Sequence, residues 1–422
     1  MQAAKILLLA GTALCGGFSL FAQTWTQTSA PSNQWYSVAS SADGVKLAAA
    51  CGGFQPIYTS TNSGISWMTN NSPIWVWSSI ASSADGNKLV AANINTNIYS
   101  GSQTLWGTIY TSTNSGATWT LTSAPVTNWF AVASSADGVK LAAAAGDGVL
   151  GFNGPIIGPI YTSTNSGATW AQSSAPGELW SCIASSADGG ELIAGATSFS
   201  TPSPVYFSTN SGASWIPARL PTNVNWSAVA CCADGTTFMA ANLPTFESVP
   251  PFVIPGAVYI SHNRGTTWVS NNLPNTDWQG VALSANGCKA VAMSQDGPIY
   301  TSADFGATWI SNNVPAQPCS SIASSADGNK LVVAILFFSN SEGGGIYTSR
   351  LTPAPSINIM PTNSELMLSW LVPSTNFVLQ QSSDLSGWSD LTNTPVLNLT
   401  NLQNQITLPL SADSGFYRLK TP

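Results

Sequence analysis

Any chemistry in this chain has to come from carboxylates, because the other reactive side chains are scarce. It carries 18 Asp plus Glu against 11 Lys plus Arg, and a single histidine, His262. One imidazole rules out a histidine-rich metal site and makes a Ser/His/Asp triad a poor fit. Most of the acids recur inside a repeated word and serve its turns; those outside it include Asp147, Glu178, Glu247, Asp277, Asp296 and Glu342. Cleaving a glycosidic bond needs two carboxyl groups ~5–10 Å apart, one to protonate the leaving oxygen and one to act as base or nucleophile. Asp277 and Asp296 flank one repeat and Glu247 belongs to the repeat before it, so these three are the candidate catalytic acids. The competing reading is that they are solvated loop acids, the ordinary state of such residues.

The 422 residues hold 7% charged side chains and a net charge of −7, where about 25% charged residues is usual. With four Arg and seven Lys there is no basic surface to neutralise a row of phosphates, which excludes nucleic acid as a partner. Residues 1–22 begin with Lys5, run apolar from Ile6 to Leu14 and end at Leu20-Phe21-Ala22, the pattern of a secretory signal peptide. The apolar run falls short of the ~18 residues a membrane span requires, and no later segment offers one. Removing it leaves 10 positive against 18 negative charges, a net of −8, and six cysteines. Cys51, Cys182, Cys231, Cys232, Cys288 and Cys319 show no Cys-x-x-Cys spacing and occupy slots where sister repeats carry Ser, Val, Ala or Trp. They read as small buried hydrophobes rather than bridges, redox centres or metal ligands. No metal or cofactor is expected.

Self-similarity dominates the rest. A word of the form Ser-Ser-Ala-Asp-Gly, followed by an apolar run, places its acid at Asp43, Asp85, Asp137, Asp188, Asp234 and Asp327, with Asn286 in the sixth slot. The spacings are 42, 52, 51, 46, 52 and 41 residues, in the range of one four-stranded propeller blade per repeat. A second word, Ile-Tyr-Thr-Ser-Thr-Asn-Ser-Gly-Ala-Thr-Trp, ends at Trp67, Trp119, Trp170, Trp215, Trp268 and Trp309. Between the words run short β-patterned stretches with no helical period. In the second repeat they predict strands A (77–82), B (87–92), C (108–112) and D (118–122), with Asp-Gly closing the A–B hairpin and Asn-Ser-Gly the C–D hairpin. The last repeat lacks a D strand, whereas Thr24-Trp25-Thr-Gln-Thr-Ser-Ala-Pro31 near the start matches the D segment around Trp170. The sequence therefore predicts an all-β, seven-bladed propeller over 23–350, closed when the N-terminal strand completes the final blade.

The second word, Ser-x-Asn/Asp-x-Gly-x-x-Trp, resembles the Asp-box, or bacterial neuraminidase repeat. Its central positions are Asn62, Asn114, Asn165, Asn210, Asn263 and Asp304; only the last keeps the eponymous acid, and either side chain can hold the turn through an Asx hydrogen bond. The resemblance covers residues 24–350 and implies a fold in which these boxes are structural, not a reaction. Members include sialidases, xyloglucan-cleaving hydrolases, sorting-receptor ectodomains and photosystem II assembly factors. Sialidase chemistry would need three convergent arginines. The chain has Arg219, Arg264, Arg350 and Arg418, of which only Arg219 falls on the side of the ring opposite the boxes. Xyloglucan-cleaving members use a cleft between two propellers, and this chain supplies one.

In a four-stranded antiparallel unit, the A–B and C–D turns share one face, while the B–C and D–A connections share the other. The first face is uniform. On the second, 51–56 is short while 93–107, 146–159, 242–256 and 336–345 are long, and long loops on a rigid scaffold are where binding resides. Trp106, Phe152, Phe199, Phe246, Phe252 and Phe337 lie in or near these connections and are the candidate binding residues for a sugar ring or protein surface; the alternative is that they fold inward and stabilise their own loops. Trp35, Trp77, Trp129, Trp180, Trp226 and Trp278, with Cys319 in the seventh slot, open the A strands and are expected to pack between adjacent sheets. Residues 351–422 lose the repeat and resemble a small C-terminal β-sandwich module of secreted bacterial proteins, with Leu366-Met-Leu-Ser-Trp370 and Phe416-Tyr-Arg-Leu419 among its strands. The expectation is a secreted, periplasmic or cell-surface bacterial protein, a monomer, that binds a glycan or protein without catalysis. A glycosidase using the three acids and an envelope assembly factor are the alternatives.

Overall fold

The computed structural model describes residues 25–94, 107–151, 154–197, 203–248, 251–312, 314, 318–336, 344–350, 357–361, 365–371, 378–383, 387–409 and 416–420. Every regular element among them is a strand. Seven four-stranded antiparallel sheets follow one another along the chain. The first comprises Trp35–Ser40, Leu47–Cys51, Tyr58–Ser60 and Met68–Thr69, and the A strands of the next five start at Val76, Trp129, Trp180, Asn225 and Trp278. The seventh is built from Cys319–Ser324, Lys330–Ile335, Ile346–Arg350 and, as its outer strand, Trp25–Gln27. Trp25 pairs with Ser349 and Gln27 with Tyr347, so the start of the described chain completes the last sheet as the repeat arithmetic requires. The D strands are shorter than predicted, two or three residues each; those of the first five sheets are exposed, while Asn312 in the sixth is buried.

The A–B turns lock the sheets into a ring. The amide of Ala42 donates to the carbonyl of Ala84, and the same bond runs from Ala84 to Ala136, Ala187, Ala233, Ala285, Ala326 and back to Ala42, at 2.6–2.8 Å throughout. Seven sheets thus close on themselves through backbone alone. The glycine two residues on packs against the neighbouring sheet. Gly44 has φ +64°, and a Cβ there would lie 2.7 Å from Cδ of Lys330, so both backbone conformation and space demand glycine.

Between neighbouring sheets the core is Trp, Ala, Val and Ile. Each A-strand Trp is buried against the sheet before it: Trp180 packs on Ala131, Ala142, Ala144 and Ile160, Trp226 on Ile193 and Val205, and Trp35 on Val332, Ala334 and Ile346. Its ring also meets the edge of the C-strand Tyr of its own sheet, as in Trp35–Tyr58 and Trp278–Tyr300, with centroids 5.2 and 5.6 Å apart. Cys319 takes the tryptophan's place in the last seam. Cys51, Cys182, Cys231, Cys232 and Cys319 are free thiols, whereas Cys288, expected to be a buried hydrophobe, is disulfide-bonded. Burial pushes Cys51 and Cys319 up to about 12 and Cys182 to about 11, which leaves them inert.

Residues 358–420 form two further antiparallel sheets, one of four strands and one of three, around Leu368, Trp370, Leu379, Ile406 and Leu408.

The seams carry a repeated polar stitch with one inversion. Lys46 Nζ donates to Ser115 Oγ of the next sheet at 3.2 Å, and Lys140 Nζ to Ser211 Oγ at 3.3 Å. In the fourth seam the same slots hold Glu191, which is buried, and Arg264, 3.5 Å apart as an ion pair. Replacing Glu191 by Lys sets two cations against each other, one of them largely desolvated. The E191K variant is expected to lose about 1–3 kcal/mol in chemical denaturation. E191K/R264S, which reproduces the Lys–Ser pairing of the first and third seams, should recover most of that loss.

Candidate functional site

The turn face is spent on structure. In the first sheet, Ser60 Oγ accepts from the Gly64 amide at 2.9 Å and donates to Asn62 Oδ1 at 3.0 Å, while Asn62 Oδ1 accepts from the Ser66 amide at 2.9 Å. The same set recurs around Asn114, Asn165, Asn210, Asn263 and Asp304. It holds Ser63, Ser115, Ser166, Ser211, Arg264 and Phe305 at φ between 56° and 60°. Each such residue donates its amide to the A–B turn of its own sheet, for example Ser63 to Val45 and Ser115 to Asn87, both at 2.8 Å, so the two turns share one face. Crevices beside Lys46, Lys88 and Lys140 on this side hold about 10 Å³, room for no more than a water.

The B–C connections meet the D–A connections on the other face. Gln55 bridges Trp75, Gly158 bridges Glu178 and Asn33 bridges Gly344. Two of the expected long loops are instead β-ribbons. Strands B and C of the third sheet extend as Leu141–Gly151 and Gly154–Ser163, and the fifth sheet inserts the pair Thr245–Ser248 and Pro251–Ile254. The proposed loop residues Phe246, Glu247 and Phe252 therefore lie on a ribbon, with Phe246 opposite Val253 and Glu247 opposite Phe252; the two phenylalanines are not partners. Trp106, Phe152, Phe199 and Phe337 lie outside the described residues.

Asp277 and Asp296 are brought close along the backbone: the amide of Gln295 donates to the carbonyl of Asp277 at 2.8 Å. Both side chains are exposed. Asp296 also sits near enough to Cys319 for its charge to add to the burial that raises that thiol. The four arginines do not converge: Arg219 is exposed in a D–A connection, Arg264 pairs with Glu191, Arg350 ends a strand opposite Lys330, and Arg418 lies 4.2 Å over the Trp388 ring. His262 is an exposed turn residue edge-on to Phe305. Among the described residues no cluster of His, Cys, Asp and Glu has the makings of a metal site.

Other residues on this face stand out only in three dimensions. Each A strand bulges after its first Trp or Cys. At four bulges a serine stitches the sheets together: Ser78, Ser181, Ser227 and Ser320 donate to the carbonyls of Trp129, Trp226, Trp278 and Trp35. The other three bulges carry Tyr36, Phe130 and Gln279. Tyr36 lies over Gly52, where a Cβ would fall 2.4 Å from its ring, and remains 40% exposed. Phe54, two residues beyond Gly52, is 63% exposed. Gln279 Nε2 donates to Gln295 Oε1 at 2.9 Å, beside Asp296. The signal in the sequence was the residue after each Trp, Ser in most repeats but Tyr, Phe or Gln in three.

No protein-family model and no curated protein matches the chain. Solved structures do, at low identity. A GH74 xyloglucanase from Xanthomonas campestris is 16% identical with a TM-score of 0.57 over 83% of this chain and 59% of its own. This chain thus spans well under two thirds of that enzyme. YCF48 bound to D1 peptide is 13% identical with a TM-score of 0.54 over 80% of this chain and 99% of its own. Hydrazine synthase of Kuenenia stuttgartiensis is 15% identical with a TM-score of 0.57 over 77% and 97%. Together with the ring of four-stranded sheets, these likenesses define a β-propeller fold.

Glu178 is half-buried at the edge of this face, and desolvation raises its carboxyl above the ordinary 4.5. A raised folded-state pKa means that its contribution to stability is fully present below 4.5 and is lost as pH rises through the folded value. Glu178→Gln is therefore expected to melt higher than the parent at pH 7, with the gap closing on acidification and gone below the ordinary carboxyl range, as followed by thermal unfolding across pH.

Proposed function

We propose that the seven sheets are the blades of a seven-bladed Asp-box propeller over residues 23–350, closed by its N-terminal strand and followed by a small β-sandwich module over 351–422. In this reading residues 1–22 direct export, and the protein works as a monomer in the periplasm, outside the cell or at the surface of a bacterium. It is a non-catalytic binding or scaffold propeller that takes a glycan or a protein on the face carrying the B–C and D–A connections, with no cofactor, metal or nucleic acid. The observation that carries this is the asymmetry of the two faces. The turn face is occupied by repeated internal hydrogen bonds, while the connection face carries two β-ribbons and the exposed side chains of Tyr36, Phe54, Ile74, Val126 and Ile157. Exposed apolar side chains beside polar groups are what a recognition surface needs.

A glycoside hydrolase is the second reading. It is favoured by the juxtaposition of Asp277 and Asp296 on adjoining connections and by the likeness to a xyloglucanase. An assembly role is favoured by the likeness to YCF48, which is bound to a peptide in its structure.

Glycan arrays, pull-down from the native envelope and polysaccharide hydrolysis on the mature protein separate these readings. The binding reading expects a captured glycan or protein, affinity falling about tenfold or more in Y36A/F54A, and no sugar release. Sugar release that disappears in D277A or D296A would replace it with the hydrolase.

A further inference from the structure

The alanine of the Ser-Ser-Ala-Asp-Gly word recurs in all seven repeats, although the residues around it change to Cys, Leu and Asn. The hydrogen-bond ring uses only backbone atoms, so it does not by itself select alanine. Six of the seven side chains gather in one cluster, and there only a methyl group leaves a shallow apolar seat rather than a filled plug. That seat is occupied. Ala42, Ala84, Ala187, Ala233, Ala285 and Ala326 form one cluster with Leu397 and Leu402 of the C-terminal sheets.

The two leucines belong to a hairpin between Val396–Asn398 and Gln403–Pro409 whose turn is built for a fixed shape. Asn398 Oδ1 accepts from the Thr400 amide at 2.9 Å and Asn401 Oδ1 from the Gln403 amide at 3.2 Å. Leu402 has φ +54° and, outside the Asn/Asp turns, is the one non-glycine residue in the left-handed region among the described residues. A bulky residue in that conformation is strained, and a free hairpin would place Gly or Asn there. The contact is also selective: Leu397 and Leu402 are half-buried, whereas Val396 and Leu399 of the same hairpin stay exposed.

We propose that this hairpin is an axial plug: Leu397 and Leu402 seat on the alanine ring, close the axis at the turn face and dock the C-terminal sheets against the seven-sheet ring. The axis then opens only toward the connection face. This interface is independent of what the connection face binds. The partner of the alanine seat is this chain's own hairpin rather than a second protein.

The test uses the full chain. With a benzophenone amino acid at position 399, the exposed tip, irradiation should crosslink the hairpin to peptides carrying the alanine turns, within monomers. In L397D/L402D the hairpin should leave the seat. Amide exchange at Ala42, Ala233, Ala285 and Ala326 should quicken about tenfold or more, and small-angle scattering should show a longer particle, while L399D behaves as the parent. Crosslinks confined to other surfaces, crosslinks between chains, or exchange and scattering unchanged in L397D/L402D would each overturn the plug. If L397D/L402D fails to fold, the crosslink in the otherwise unaltered sequence decides.

Discussion

Seven alanine amides, each donating to the alanine carbonyl of the next sheet, form the constraint from which the rest of this structure follows. The bonds run head to tail and close without a gap. A cyclic arrangement tolerates no sheet that is displaced or missing, because every donor needs the neighbour's acceptor, and an unpaired buried amide costs about 1–3 kcal/mol. It also brings six of the seven alanine side chains of that slot into one cluster. Closure at the outer edge is a separate matter, met by Trp25–Gln27 pairing with Ile346–Arg350, so that the first and last parts of the ring share one sheet. That leaves no unpaired edge between the first and last sheets.

The division of labour between the faces follows from the same geometry. Turns that must lock to each other and to neighbouring sheets share one face, where the Ser-Asn turns, the glycines and the lysine stitches lie. Connections on the opposite side carry no such duty, and they differ in length and form. The solved structures of similar fold range from a xyloglucanase to YCF48 bound to a peptide. The fold alone fixes no chemistry, and the variable face is distinguished by its side chains. On this chain those are exposed acids and aromatic rings, with no clustered guanidinium groups among the described residues.

The repeat made much of this legible in advance. Two words at blade spacing predicted the sheets, the tight turns, the sharing of faces and the pairing of the first strand into the last sheet, because turn chemistry and period-two alternation are local signals. The A-strand tryptophans and five of the six cysteines were also readable as packing, whereas the disulfide at Cys288 was not, because a bridge depends on a partner distant in sequence. What escaped depends on partners distant in sequence. The ribbons at Leu141–Gly151 and Thr245–Ser248 are rich in Gly and Pro nearby and read as loops, since strand pairing there comes from the partner segment rather than from propensity. The pairing of Glu191 with Arg264 is visible only once the seam puts them in the slots of Lys and Ser. Tyr36 and Phe54 acquire meaning only from Gly52, which lets one ring lie on the backbone.

Annular closure by the first strand is the claim on which the assignment of both faces rests, and it can be tested covalently. Thr26 and Thr348 are register partners, and facing residues of antiparallel strands lie within disulfide range. In the full chain, T26C/T348C should form an intramolecular disulfide under mild oxidation, seen by peptide mapping of the monomer, and the oxidised protein should melt higher than the reduced one. A pair that stays reduced while the protein is folded, or that links only different molecules, would contradict the account.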